Sequence, residues 1–128
     1  DNMILKNNQV MGILDWELST LGHPIADFSY HCLSWRTQEA FWDQAKLKEL
    51  GVPSEKEYMD MYCENTGKDL SKNWEFYMAF NMFKIAGILQ GILGRVRDGT
   101  ASSKHAEDRG MMVYPLSEAA WNTIKENF

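Results

Sequence analysis

Cysteine is scarce in this sequence, whose 128 residues hold only Cys32 and Cys63. The two stand far apart, each inside a helical pattern, which leaves neither a CxxC redox pair nor a zinc-ligand spacing. Read as reduced core thiols, they point to the cytoplasm. Basic charge is short as well: 13 Lys and Arg face 18 Asp and Glu, for a net charge of -5. Nucleic-acid binding neutralises phosphates with clustered cations, so no general affinity of that kind is expected. No continuous apolar run approaches the roughly 20 residues of a membrane span. The greasiest stretch, IAGILQGILG, is short and broken by Gln90, so no membrane partner is expected. Signal peptide, internal repeats, low-complexity tracts and linkers are lacking too. The first residue is Asp1 rather than Met, at the edge of a strand-like run, and a piece of a longer protein is expected from that.

What the chain does have is material for one core. It is 45% hydrophobic and 24% charged, with five Trp, five Tyr, six Phe and eight Met. Each buried aromatic removes about 150–250 Å² from water. Strand signals are confined to the start, where Met3 to Leu5 and Val10 to Leu14 are apolar runs separated by the polar turn KNNQ. Everything after reads as helix. Pro24 opens a run with Ile25, Phe28, Cys32 and Trp35 at i, i+3, i+7 and i+10, one helical face. TQEAFWDQAKLKELG carries Phe41, Ala45 and Leu47 or Lys48 to a stop at Gly51. Ser54 and Glu57 stand in capping-box register, and Gly67 ends that helix in the left-handed conformation. From about Asn73 to Arg97 the sequence is apolar nearly all round, as a helix surrounded by others requires. Gly99 closes it, and a last stretch from Ser103 is kinked or divided by Pro115. The predicted class is mainly α with one N-terminal β-hairpin.

Asn2 and Asp15 bracket the hairpin. A turn centred between Asn8 and Gln9 sets them opposite each other. Fully extended, the chain would hold them roughly 40 Å apart; folded back, the backbones approach to about 5 Å. Mg²⁺ takes oxygen ligands at about 2.0–2.1 Å, so two of its ligands must lie close together, and a hairpin supplies that proximity. Asn and Asp are also ordinary strand terminators that satisfy backbone groups in turns. Spacing leaves both readings open.

The string DN-x-I-L…GILDWELSTLGHPIADFSY resembles the catalytic segment of the aminoglycoside phosphotransferase and choline kinase-like family, whose fold is that of protein kinases. The family pattern is His-Gly-Asp-x-x-x-x-Asn, a hairpin ending in Ile-Asp-Trp-Glu, then Gly-Asp-Pro and a helix with Asp-Leu-Ala. LDWE stands here at Leu14 to Glu17, GHP at Gly22 to Pro24 and ADF at Ala26 to Phe28. FKIAGILQGILGRVRDGTASS, from Phe83 to Ser103, is similar to the subgroup related to the kinase-like domain fused to acyl-CoA dehydrogenase in animals. The resemblance covers essentially the whole chain. It implies that residues 1–128 are a partial C-terminal helical lobe of a protein-kinase-like α+β fold, with the N-terminal lobe and the catalytic Asp upstream.

On that resemblance Asn2 and Asp15 hold Mg²⁺ against the phosphates of ATP, and the hairpin is a rigid clip whose burial fixes both directions. Glu17 supports the metal site or a substrate group, or else is solvated. Asp27, favoured in a first helical turn by the dipole alone, is implied to be a buried acceptor bracing the catalytic loop. His23 stands where the family has Asp, which leaves its role open. His31 reads as a packed histidine and His105 as a solvated one. Arg95 and Arg97 complement a helix C-terminus, with phosphate or acyl-CoA contact as a second use. The implied function is ATP- and Mg²⁺-dependent transfer of the γ-phosphate to a small-molecule hydroxyl, a hydroxyacyl-CoA or similar rather than an antibiotic. This chain alone is expected to be inactive, and its unpaired hairpin edge favours self-association or docking of the missing N-terminal part. The rival reading is a non-catalytic helical binding or scaffold module with a kinase-like framework.

Overall fold

A computed structural model describes residues 2–37 and 44–128. The chain begins with strands β1 (Met3–Lys6) and β2 (Gln9–Ile13), which pair antiparallel as a two-stranded sheet. Asn7 and Asn8 both take positive φ, 52° and 58°. That is the primed turn whose twist matches the strands, and Asn tolerates it better than most side chains. The ladder runs Lys6 opposite Gln9 and Leu5 opposite Val10, then Ile4 opposite Gly12 and Met3 opposite Ile13. Met11 is the extra residue of a bulge. The Leu14 amide closes the ladder on the Asn2 carbonyl at 2.8 Å. Asn2 therefore faces Leu14 rather than Asp15: the turn is centred on Asn7 and Asn8, one residue earlier than the sequence reading put it, which shifts the pairing by two positions, and the bulge restores one.

Six α-helices follow among the described residues: α1 (Pro24–Arg36), α2 (Gln44–Glu49), α3 (Glu55–Thr66), α4 (Trp74–Arg97), α5 (Ala106–Met111) and α6 (Val113–Asn127). A 3-10 turn at Trp16–Leu18 links β2 to α1. Phe41, expected in the second helix, lies outside the described residues. The Ser54 capping box is complete, with Glu57 N–H donating to the Ser54 hydroxyl and the Ser54 N–H donating to the Glu57 carboxylate. Gly67 follows α3 at φ 65°, a conformation that costs glycine nothing. Pro115 lies in the first turn of α6, where its missing N–H has no partner to lose. The break falls just before it, at Met112, so the last stretch is two helices rather than one kinked helix.

The core forms where α1 and α6 pack against α4. Phe28, Cys32 and Leu33 of α1 meet Trp74, Met78, Met82 and Ala86 of α4, with Val113, Leu116 and Ala120 from α6 closing the cluster. Burying each large side chain is worth about 1.5–3 kcal/mol. Tyr62 of α3 stacks on Phe28 at 3.8 Å, and Tyr58 stacks on Trp35 at 5.1 Å. Among the described residues two polar side chains are buried, Asn81 and Ser29. Both are satisfied: Asn81 Nδ2 donates to the Ala26 carbonyl and to Ser29 Oγ, each at 2.8 Å. They lock α4 to the first turns of α1.

Three expectations about apolar surface are corrected. By length and mean hydropathy α4 is apolar enough to cross a membrane. Looking for an unbroken apolar run hid this, since the average tolerates Asn81, Lys84 and Gln90. Nor is α4 surrounded on all sides: Phe76, Phe80 and Phe83 are 47%, 51% and 72% exposed. The hairpin is likewise open, with Met3, Ile4, Leu5, Val10, Met11 and Ile13 all about half exposed or more. Burial does not fix the clip here; its ladder, its turn and the contacts at its open end do.

Candidate functional site

At the open end of the hairpin Asp15 adopts φ 64° and ψ 49°. A non-glycine residue enters this left-handed region at a cost of roughly 1–2 kcal/mol. The turn it makes lets the Trp16 indole N–H donate back to the Ile13 carbonyl at 2.6 Å. The Ser19 hydroxyl and amide both donate to the Trp16 carbonyl, which fixes the 3-10 turn. With the chain so bent, the Asp15 carboxylate comes back across the hairpin, and Asn2 Nδ2 donates to Asp15 Oδ2 at 3.2 Å. The two side chains named from the sequence thus meet, although their backbones are not directly opposite.

The donor set can be tested against the ion. Among the described residues no group of three or more His, Cys, Asp and Glu could hold a metal by itself. One carboxylate and one amide are too few for a structural cation, but they match Mg²⁺, which typically takes one or two carboxylates and completes its shell with phosphate oxygens and water. The residues present fit a metal delivered with a nucleotide.

Asn2 of this pair lines one cleft, and Trp16, the residue after Asp15, lines a second. The larger, about 890 Å³, lies between the hairpin and α1 and is lined by Asn2, Ile13, Asp27, His31, Tyr58 and others. The second, about 610 Å³, lies beyond Trp16 and is lined by Ser19, Thr20, His23, Asp27, Tyr30, Asn81 and Lys84. Asp27, in the first turn of α1, lines both. It is exposed rather than buried; its backbone N–H donates to the His23 carbonyl at 3.3 Å, while its carboxylate stays open to the clefts. Glu17 is also exposed. His31 is exposed as well, yet it leans on Tyr58 and Trp35 with ring centroids at 5.6 and 6.5 Å. Burial pushes the Tyr58 phenol above its ordinary value, with the Cys32 thiol adding to the rise. His23 is the N-cap of α1 and stacks on Tyr77 at 5.1 Å. His105 is exposed. Arg95 and Arg97 end α4, as expected. Lys84 and Tyr30 were missed by the sequence reading, though a lysine in mid-helix without an acid three or four residues away was a usable signal.

The chain is similar to kinase-like phosphotransferases in the part that carries the bent hairpin and its amide–carboxylate pair: residues 1–62 match the phosphotransferase enzyme family. Over its whole length the chain is 41% identical to acyl-CoA dehydrogenase family member 10 of Mus musculus, of which it covers 13%, and 35% identical to acyl-CoA dehydrogenase family member 11 of Homo sapiens, of which it covers 17%. The probable acyl-CoA dehydrogenase IBR3 of Arabidopsis thaliana is 35% identical over 99% of the chain and 17% of its own length. The chain therefore spans less than a fifth of these relatives. No solved structure matches it.

Proposed function

We propose that this chain is the metal-holding helical part of an ATP- and Mg²⁺-dependent phosphotransferase that acts on a small-molecule hydroxyl. The Asn2–Asp15 contact across the bent hairpin carries the reading. Asn2 and Asp15 would hold the ion through oxygen; when bound, Mg²⁺ neutralises charge on the transferring phosphates. The left-handed backbone at Asp15 keeps its carboxylate on the Asn2 side. Asp27 faces the cleft beside Asn2, where its carboxylate is available to backbone donors of the segment that precedes Asn2. The base that orients the acceptor hydroxyl belongs to that segment in this reading, so the 128-residue chain alone transfers no phosphate. The free thiols Cys32 and Cys63 agree with a cytoplasmic setting. The exposed hairpin strands agree with docking of the remaining protein or with self-association.

Asp15→Ala in the full-length protein tests the reading. The expected result is loss of Mg-ATP binding with an unchanged circular dichroism spectrum and melting temperature. Unchanged Mg-ATP binding, or none in the wild type, would replace the enzyme by a helical scaffold that keeps a kinase-like framework.

A further inference from the structure

Lys84 is a cation that its own helix does not explain. Arg95 and Arg97 lie in the last turn of α4, where they complement the helix dipole. Lys84 is in mid-helix, beyond the reach of either end. At helical spacing its neighbours are Phe80, Asn81, Gly87 and Ile88, none of them a carboxylate that could pair with it. The ion pairs formed among the described residues do not include it. Its ammonium lies instead over the Tyr30 ring, 5.0 Å from the centroid, a cation–π contact that places the charge above α1 without neutralising it. That position is in the wall of the 610 Å³ cleft, together with the hydroxyls of Ser19 and Thr20, the imidazole of His23 and the carboxylate of Asp27. The His23 ring is held nearly parallel to Tyr77, at 16°. Trp16, the residue after Asp15, lines the same cleft.

In a chain of net charge -5, an exposed cation outside every ion pair of the described residues, sharing a cleft with two hydroxyls and an imidazole, is the group there that draws an anion, with the Asp27 carboxylate the one opposing charge. We propose that this cleft receives the negatively charged group, phosphate or carboxylate, of the hydroxyl-bearing acceptor. Lys84 is its positioning residue: it anchors the acceptor by its charge in a cleft that Trp16, the residue after Asp15, also lines. Phosphate and carboxylate share the chemistry that Lys84 recognises, and the probes below separate them. The proposal rests on the phosphotransferase reading, and it is tested by a measurement that does not need turnover.

Equilibrium dialysis of the full-length protein against glycerol 3-phosphate, glycerate and glycerol compares one skeleton with and without an anion, while Mg-ATP affinity is measured separately. In the wild type at least one anionic probe binds tenfold or more tighter than glycerol, and which one does identifies the group. Lys84→Gln abolishes that preference, Lys84→Arg keeps it, and neither changes Mg-ATP affinity. Asp15→Ala does the reverse, losing Mg-ATP and keeping the anion preference. Equal binding of the three probes, a preference that survives Lys84→Gln, or a fall in Mg-ATP affinity in that variant overturns the proposal. A wild type that shows the Lys84-dependent preference but no Mg-ATP binding overturns the phosphotransferase reading instead, and leaves an anion site on a scaffold.

Discussion

Replacing Arg36 by Met removes a side chain that ties the end of α1 to the starts of both α3 and α4. Its Nε donates to Glu55 at 2.6 Å, and its two terminal nitrogens grip Glu75 at 2.9 and 3.2 Å. Glu55 also accepts from the Trp74 indole at 3.1 Å, so the cluster reaches the core. Burial works against the charge of Arg36, but hydrogen bonds to Glu55 and Glu75 outweigh it and hold the guanidinium above its usual range. Side-chain exposures of 32%, 19% and 28% for Arg36, Glu55 and Glu75 put the cluster between surface and interior. Exposed pairs contribute about 0.2–1 kcal/mol, and breaking a buried pair costs about 3–5 kcal/mol. Two partly shielded pairs, one of them forked, place the loss at about 2 kcal/mol. For a chain of this size that lowers the melting temperature by roughly 6–10 °C, read by far-UV circular dichroism. Glu75→Gln in the Arg36→Met background should then cost less than it does alone, since its partner is already gone. A shift within experimental error of zero, or strictly additive losses, would refute the clamp.

Gly110→Ala should destabilise by about 1–3 kcal/mol in denaturant titration, because a Cβ there would stand 2.5 Å from Leu93 Cδ2 and 2.6 Å from its Cγ; a neutral outcome would show that α5 can slide along α4. The Glu57 carboxyl is held below its usual range by the hydrogen bonds with Ser54. A depressed carboxyl contributes stability that is present above its unfolded value and lost as pH falls through the folded one, so stability of the wild type should drop on acidification more than that of Glu57→Gln. Parallel pH profiles of melting temperature for the two would rule out the capping box as the cause. Burial pushes the Cys32 thiol up to about 12 and leaves it no exposed surface, whereas Cys63 is only part-buried. Iodoacetamide at neutral pH should label Cys63 first, by peptide mass spectrometry, and Cys32 only on unfolding; equal labelling in the native chain would count against the packing around α1.

The helices were legible where termini carry their own chemistry. Ser54, Glu57, Gly67 and Pro24 each mark an end through a local hydrogen bond or a fixed φ, and local rules do not depend on what packs alongside. The hairpin register was less legible, because KNNQ leaves the choice of turn residues open and the bulge at Met11 has no side-chain signature. The side chains of Asn2 and Asp15 meet all the same. A carboxylate on a residue that bends left-handed can reach one position across the ladder, so the Asn2–Asp15 contact survives an error of one in register. Exposure was the least legible property, since Met3 to Leu5 and Phe76 to Phe83 have the composition of a core whether or not anything covers them.

Lys84 and Asp15 show why a site can be half visible in a sequence. Asp15 stands in a contiguous string, so the residues that bend the chain around it are its own neighbours and a pattern can be read off the line. Lys84 acquires its surroundings from Trp16, Ser19, His23 and Tyr30, brought to it only when α4 docks on α1. That docking is specified by Asn81, one turn earlier on the same helix, whose amide spans to the Ala26 carbonyl and Ser29 hydroxyl. A buried amide of this kind costs about 1–3 kcal/mol if left unpaired, so α4 can settle on α1 in one register only. The same bond therefore fixes the helix and the position of its unpaired cation, and the anion cleft follows from a core contact rather than from any motif.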